Sequence, residues 1–258
     1  MLRNLVRRLG IAAKRIAPPG TTGYRALQRL SRPLPRSLRG NYEANPIAER
    51  LHRFAQERDD VLFVQVGAHE ARAGDPIALY VQRDGWSGIL VEPVPELFER
   101  LQDTYAGTTG LVFENVAIAE EEGRRTLFQL SRSAAEVYEL ADSLGSLDRD
   151  VLLSHGEQVP GIEDYVVETE VECLTFRSLL ERHPLERIDL LHIDAEGYDG
   201  RLLRSFPWRR FTPDLVLYEH DHLDGAERAA TEAMLRRRGY TLTYSRTNTL
   251  AERAEPEA

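Results

Sequence analysis

From residue 47 onward, short apolar runs alternate with stretches whose apolar residues recur at helical spacing. Ile47 to Glu57 reads as a helix, and residues 61–66 (VLFVQV) are an apolar run too short for one, hence a buried strand. Asp75-Pro76 is a cap and first-turn signal opening a helix through Arg83, with Ile77, Tyr80 and Val81 on its apolar face. A strand at 88–92 follows. Pro95 then starts a helix with Leu97, Phe98, Leu101 and Tyr105 at helical spacing. Leu111 to Ile118 and Arg124 to Leu130 read as strands joined by Glu122-Gly123. Regularity returns with strand 166–174, helix 175–183, strand 188–193, helix 197–205, strand 214–219, helix 225–238 and strand 240–246. Strands alternating with helices predict an α/β fold, a doubly wound, mostly parallel sheet with helices on both faces and antiparallel strands at its end.

Two segments break this rhythm. Residues 131–165 are rich in Ser, Gly, Asp and Pro and weakly patterned, as a lid or substrate segment would be, or a passive excursion. Residues 1–45 are a basic extension ahead of a domain spanning 46–258. Within that extension, Leu2, Leu5, Val6 and Leu9 share one helical face among arginines, and Pro33, Pro35, Gly40 and Pro46 mark a linker. The pattern over 1–16 suits a helix lying on an anionic membrane surface, and equally a helix against the body or a basic tail.

Charge sharpens that division. Residues 1–40 hold ten Lys/Arg and no Asp or Glu, so the remainder carries −19 within a net −9. An acidic body argues against nucleic-acid partners. Cys173 is the only cysteine, which excludes an internal disulfide and a cysteine-based metal site. It lies in an alternating run and reads as a buried structural residue. No apolar run is long enough to span a bilayer, and a signal peptide is not evident. A reducing, cytoplasmic setting is expected, with peripheral contact to the inner membrane surface through residues 1–16.

The candidate chemistry gathers where strands end. Strand 61–66 runs into Gly67-Ala68-His69-Glu70, a tight exit that lets backbone approach a ligand, although G-x-G-x-x-G is absent. Strand 88–92 ends in Glu92-Pro93, twenty-five residues after Gly67, where an acid can accept hydrogen bonds from ribose hydroxyls. Strand 188–193 runs into Asp194-Ala195-Glu196-Gly197. In open α/β sheets these ends share one edge, the edge that binds ligands.

Four ordered motifs carry a family resemblance: Val66-Gly67-Ala68, residues 88–98 (GILVEPVPELF), Glu114-Asn115-Val116-Ala117-Ile118, and residues 188–197 (IDLLHIDAEG). Over roughly residues 60–250 the chain resembles the FkbM family of S-adenosylmethionine-dependent methyltransferases, which implies a seven-stranded Rossmann-like sheet with an antiparallel last strand. The resemblance implies that Gly67, Ala68, His69 and Glu70 line the methionine part of the cofactor. It implies that Glu92, beside Pro93, holds the ribose. Asn115, Val116 and Ala117 would then flank the adenine, with Asp194 and Glu196 near the sulfonium. Two positions depart from the family pattern: Ala71 where glycine is usual, and His192 where lysine is common.

Methyl transfer to an alcohol also needs a base for the hydroxyl proton. His220 and His222, just past strand 214–219, and Asp194 are the candidates. His220, Asp221 and His222 with Asp194 and Glu196 could also hold a divalent ion such as Mg²⁺ or Ca²⁺, though no metal is expected. The expected function is O-methylation of a hydroxyl on a sugar, glycolipid, polysaccharide or secondary metabolite. The alternative is a non-catalytic binding module that keeps the architecture. Oligomeric state is not legible.

Overall fold

The computed structural model describes residues 45–71, 75–138, 141 and 144–254. The basic extension, including its amphipathic segment over 1–16, lies outside the described residues. Helix α1 (Pro46–Glu57) starts at Asn45, whose Oδ1 accepts from the N–H groups of Ile47 and Ala48 at 3.1 and 3.3 Å. Pro46 suits the first turn because its missing N–H would have had no helical partner. The chain then runs through β1 (Leu62–Val66), α2 (Ala78–Asp84), β2 (Ser87–Val91), α3 (Pro95–Thr104), β3 (Leu111–Glu114), β4 (Ala117–Ile118) and β5 (Gly123–Leu130). Asp75 Oδ1 accepts from Ile77 and Ala78, so the expected cap shapes the turn into α2.

Next come α4 (Arg132–Ala135), β6 (Gly145–Ser146), α5 (Arg149–Leu153) and two 3₁₀ turns, Ser154–Glu157 and Ile162–Tyr165. The remainder is β7 (Val166–Leu174), α6 (Phe176–Arg182), β8 (Leu190–Ile193), α7 (Asp199–Ser205), β9 (Leu215–Glu219), α8 (Gly225–Arg237), β10 (Tyr240–Tyr244) and β11 (Asn248–Arg253).

Seven strands form the main sheet in the order β10-β11-β9-β8-β1-β2-β3. Strands β9, β8, β1, β2 and β3 are mutually parallel, and β11 runs antiparallel to both neighbours. Val64 sits opposite Ile89 on one side and Leu191 on the other. Strand β1 is therefore the point from which the order departs in both directions, where such sheets open a ligand crevice. Alternate residues of each strand feed opposite faces. Val64, Val66, Leu191, Ile193 and Val216 pack with Leu179 of α6 and Leu202 of α7. Phe63, Leu90, Leu190 and Leu215 pack with Phe54 of α1 and Val81 of α2. This two-sided burial is why the strands read as continuous apolar runs.

Three sequence expectations change. First, strands 124–130 and 166–174 leave the main sheet. They form a second sheet, β4-β7-β5-β6, with β5 and β7 antiparallel from Gly123–Cys173 to Leu130–Val166. Second, the run 111–118 is two strands. The Asn115 side-chain amide donates to the carbonyls of Glu92 and Pro93 at 2.8 and 3.1 Å, and the chain turns there from the first sheet to the second. Third, residues 240–246 are not the last strand of the chain: β11 follows and inserts between β9 and β10, leaving β10 at the sheet's edge. The described residues of 131–165 have a core of their own, in which Leu152, Val159 and Ile162 are buried with Leu130.

Candidate active site

A cavity of about 540 Å³ opens at the C-terminal edge of β1, β2 and β8 and is roofed by the second sheet with Ser131, Arg132, Ala141, Leu144 and Leu147. Its floor is backbone against backbone. Gly67 sits at φ 75° and donates to Val91 O at 3.0 Å, while Asp194 N–H donates to Val66 O at 2.9 Å. A Cβ on Gly67 would lie 1.7 Å from the Asp194 carbonyl oxygen, so only glycine lets β1 and β8 exit side by side. Ala71 adopts φ 51°, the left-handed conformation glycine favours, and its N–H reaches Ala68 O at 3.1 Å. The departure at this position thus leaves the turn in place.

Glu92 is buried, with Oε2 accepting from His69 N–H at 2.8 Å and Oε1 from Val94 N–H at 2.9 Å. Burial pushes its carboxyl up to about 7, against the pull of those two donors, and Asp194 pushes the same way. Each oxygen keeps acceptor capacity toward the cavity. Pro93, Val94, Val116 and Ala117 give the adjoining wall an apolar surface.

Gly67, His69, Glu92, Pro93, Val116, Ala117, Asp194 and Glu196 line this one cavity. The other expected residues stand behind or beside it. Ala68 is buried in the core. The Glu70 carboxylate turns to Arg100 of α3 at 3.7 Å, and its carbonyl accepts from Thr104 Oγ1. Asn115 braces the Glu92-Pro93 turn. His220 is buried, with Nδ1 2.8 Å from Thr249 Oγ1 of β11. His192 lies inside β8, opposite Gln65 and Leu217, where burial holds its pKa down.

His222 belongs to a cluster beside the cavity. Its Nε2 is 3.3 Å from Glu196 Oε2 and 3.6 Å from Glu219 Oε2. His155 Nε2, from the first 3₁₀ turn, is 3.8 Å from the same Glu196 oxygen. Burial pushes the carboxyls of Asp194, Glu196 and Glu219 upward, and Glu219, raised to about 8, is pushed further by Asp194.

Two positioning residues were given no place in the site from the sequence. Asp199 is fully buried and accepts from Ala195 N–H at 3.2 Å and Glu219 N–H at 3.1 Å, tying the exits of β8 and β9 together. Its helix-start position was legible, but these partners were not. His155 carried no local motif and arrives only through the fold of the 131–165 segment. Ser146 Oγ of that segment donates to Glu196 O at 2.9 Å. Glu196 and Gly197 both have positive φ, 46° and 85°. A Cβ on Gly197 would meet both Val151 methyls at 3.0 Å and His222 Cβ at 3.3 Å.

The fold is a doubly wound, Rossmann-like α/β sheet, and the cavity lies at its switch point. Residues 65–242 match the methyltransferase FkbM domain model, and the chain belongs to that family. No curated protein matches it. Among solved structures it is similar to the methyltransferase FkbM from Methylobacillus flagellatus KT, at 13% identity and TM-score 0.48, over 97% of this chain and 59% of that one. A human methyltransferase 10 domain containing protein is 12% identical, with TM-score 0.40, covering 86% of this chain and 84% of its own. The ribosomal protein L11 methylase from Lactobacillus delbrueckii subsp. bulgaricus is 10% identical, with TM-score 0.40, over 82% and 81%.

Membership implies S-adenosylmethionine as methyl donor. The residues present fit it. The cavity is of small-molecule size, Glu92 offers buried acceptor oxygens, and the glycine exit allows close backbone approach. Among the described residues no helix is long and apolar enough to cross a membrane.

Proposed function

We propose that the protein methylates a hydroxyl oxygen on a sugar-containing or other polyhydroxylated acceptor that also carries an apolar part, such as a glycolipid or secondary metabolite. The observation that carries this reading is one cavity with two unlike walls. Glu92, Gly67 and Asp194 stand on the cofactor side. Opposite, Leu127, Leu130 and Val167 stand beside Gln129, Thr169 and Arg132. Side chains of that kind suit an amphipathic acceptor, with apolar contact for one portion and hydrogen bonds for hydroxyls.

In this reading Glu92 holds the ribose hydroxyls. The β1 exit at Gly67 and His69 seats the methionine portion, and Pro93, Val116 and Ala117 flank the base. The bound cofactor supplies an electrophilic methyl group. The chain's own contribution is positioning, because in-line transfer depends on holding donor carbon and acceptor oxygen in register. Asp194 faces the cavity, and its raised pKa suits it to take the hydroxyl proton. His220 is engaged with Thr249 and is not assigned this task. The acceptor is a small molecule or glycan and not a nucleic acid. Residues 1–16 would bring the enzyme to an anionic inner membrane surface where a lipid-linked acceptor resides.

The test is isotope-labelled methyl transfer from S-adenosylmethionine across a panel of glycolipids, polysaccharides and hydroxylated metabolites. Label on an acceptor oxygen, lost in Asp194→Asn even at saturating S-adenosylmethionine, is the expected result. Cofactor binding with no label on any hydroxyl, or label on nitrogen, overturns the O-methyltransfer reading. Equal vesicle binding with and without residues 1–40 overturns the membrane role.

A further inference from the structure

We propose that His155, His222, Glu196 and Glu219 form a binding centre for a first-row transition-metal ion of the Zn²⁺ or Mn²⁺ type, set against the cofactor cavity. The four side chains come from three separate places: the Ser154–Glu157 turn, the β8 exit, and β9 with the loop after it. Nothing local in the sequence unites them, yet their ligand atoms converge. Glu196 Oε2 is 3.3 Å from His222 Nε2 and 3.8 Å from His155 Nε2, and Glu219 Oε2 is 3.6 Å from His222 Nε2. The two imidazole rings lie 4.6 Å apart, tilted by 56°. Ligands bound at about 2.0–2.2 Å around one ion stand roughly 3–4 Å from each other; the ligand atoms of His155, Glu196 and His222 all lie within 4.8 Å of one another, and Glu219 joins them through His222 and Glu196.

A second observation concerns the carboxylates. Glu196 Oε2 and Glu219 Oε2 are buried and receive no hydrogen bond. Buried polar atoms are nearly always satisfied, and an orphan calls for an explanation such as an ion. Asp194 adds a third carboxylate, with one oxygen within 4.8 Å of those of Glu196 and Glu219. Three half-buried acids gathered this closely repel one another, and a dication relieves that repulsion at once.

The protein also spends backbone strain to hold the shell. Glu196 sits at φ 46°, its carbonyl is held by Ser146, and Asp199 fixes the N–H of Glu219. Such strain persists only where the surroundings over-determine it. Two imidazoles favour a borderline transition ion over Mg²⁺ or Ca²⁺, which prefer all-oxygen shells. His220 has no place in this shell, being bonded to Thr249. Glu196 lines the cavity as well as the cluster, so an ion here would lie where it can acidify an acceptor hydroxyl. That last role rests on the O-methyltransfer reading, whereas the ion site does not.

The full chain, stripped with chelator, should be titrated with ZnCl₂, MnCl₂ and MgCl₂ by calorimetry, with S-adenosylmethionine affinity measured on the same samples. One Zn²⁺ or Mn²⁺ per chain is expected, tighter than Mg²⁺ by at least tenfold. His155→Gln and His222→Gln should each weaken binding at least tenfold, and His183→Gln, at the far end of α6, should not. Co²⁺ loading supplies a visible spectrum that reports nitrogen and oxygen ligation independently of stability, and His155→Gln should change it. No stoichiometric ion, or binding and a Co²⁺ spectrum indifferent to both histidine variants, overturns the site. Intact cofactor binding alongside such a failure would leave the methyltransferase reading standing. Absent cofactor binding with a bound ion would do the reverse.

Discussion

The cavity's floor and its roof are built by different means. The floor, at the ends of β1, β2 and β8, is fixed by main-chain contacts: Gly67 N–H and Ala68 N–H both on Val91 O, Asp194 N–H on Val66 O, and the Glu92 carboxylate bridging the N–H groups of His69 and Val94. The roof, from β5, β7 and neighbours such as Ser131, Leu144 and Leu147, meets the cavity through side chains such as Leu127, Gln129 and Val167. A surface made of backbone recognises one molecule and tolerates little change, since any added atom collides. A surface made of side chains can be re-cut by substitution without moving the chain. The proposed function puts the methyl donor on the floor and the acceptor under the roof, and this contrast is its physical counterpart.

The largest effect that would break this contrast is at the floor. Gly67→Ala places a Cβ within 1.7 Å of the Asp194 carbonyl at φ 75°, and should cost on the order of 3 kcal/mol or more. Thermal unfolding should fall by at least about 6 °C for a domain of this size. An unchanged midpoint would mean that the two strand exits are not packed as described. Next, Glu92→Gln keeps one N–H contact but loses the charge that strengthens hydrogen bonds from ligand hydroxyls. S-adenosylmethionine affinity should drop by roughly 10–100-fold by calorimetry.

pH gives a third handle. Glu92 and Glu219 titrate near 7 and 8 in the folded chain, above the ordinary value of about 4.3. A raised carboxyl binds its proton more tightly folded than unfolded. Its contribution is therefore full below about pH 4.3 and is withdrawn as pH climbs through 7 and 8. With those values, linkage gives the metal-free chain a loss of up to about 6 kcal/mol from these two groups between pH 5 and 8, less any gain from other carboxylates. Glu92→Gln with Glu219→Gln should flatten that slope in denaturant titrations, and an undiminished slope would reject these groups as its source. The smallest effect belongs to the roof. Val167→Asp, at an exposed position on the cavity wall, should raise the acceptor KM about five- to tenfold and leave cofactor affinity unchanged. A parallel loss of cofactor affinity would erase the distinction between the two walls.

Legibility in the sequence follows the same line. Strands β1, β2, β8 and β9 were readable because burial on both faces leaves continuous apolar runs, and their exits carried Gly67, Glu92 and Asp194 within a few residues of those runs. The second sheet was not separable from the first. A strand's pattern states how it is buried, not which strand it pairs with. The break at Asn115 depends on a hydrogen bond to residues 22 and 23 positions earlier, which no window along the chain contains. Strand β11 escaped because its insertion between β9 and β10 is a pairing decision made over distance. His220 and His222 read alike from their positions, two residues apart. The direction each side chain takes off the end of β9 sends one to Thr249 and the other to Glu196.

By itself, then, the order of residues determined the alternation of elements, the doubly wound class and the cofactor-side turns, because each depends on interactions between near neighbours or on simple partition between water and core. Tertiary structure alone decided which strands share a sheet, what roofs the cavity, and that His155 meets Glu196 and His222 from a segment some forty residues away from the first of them. Those are contacts between distant parts of the chain, and their geometry exists only after the sheets have closed around their cores.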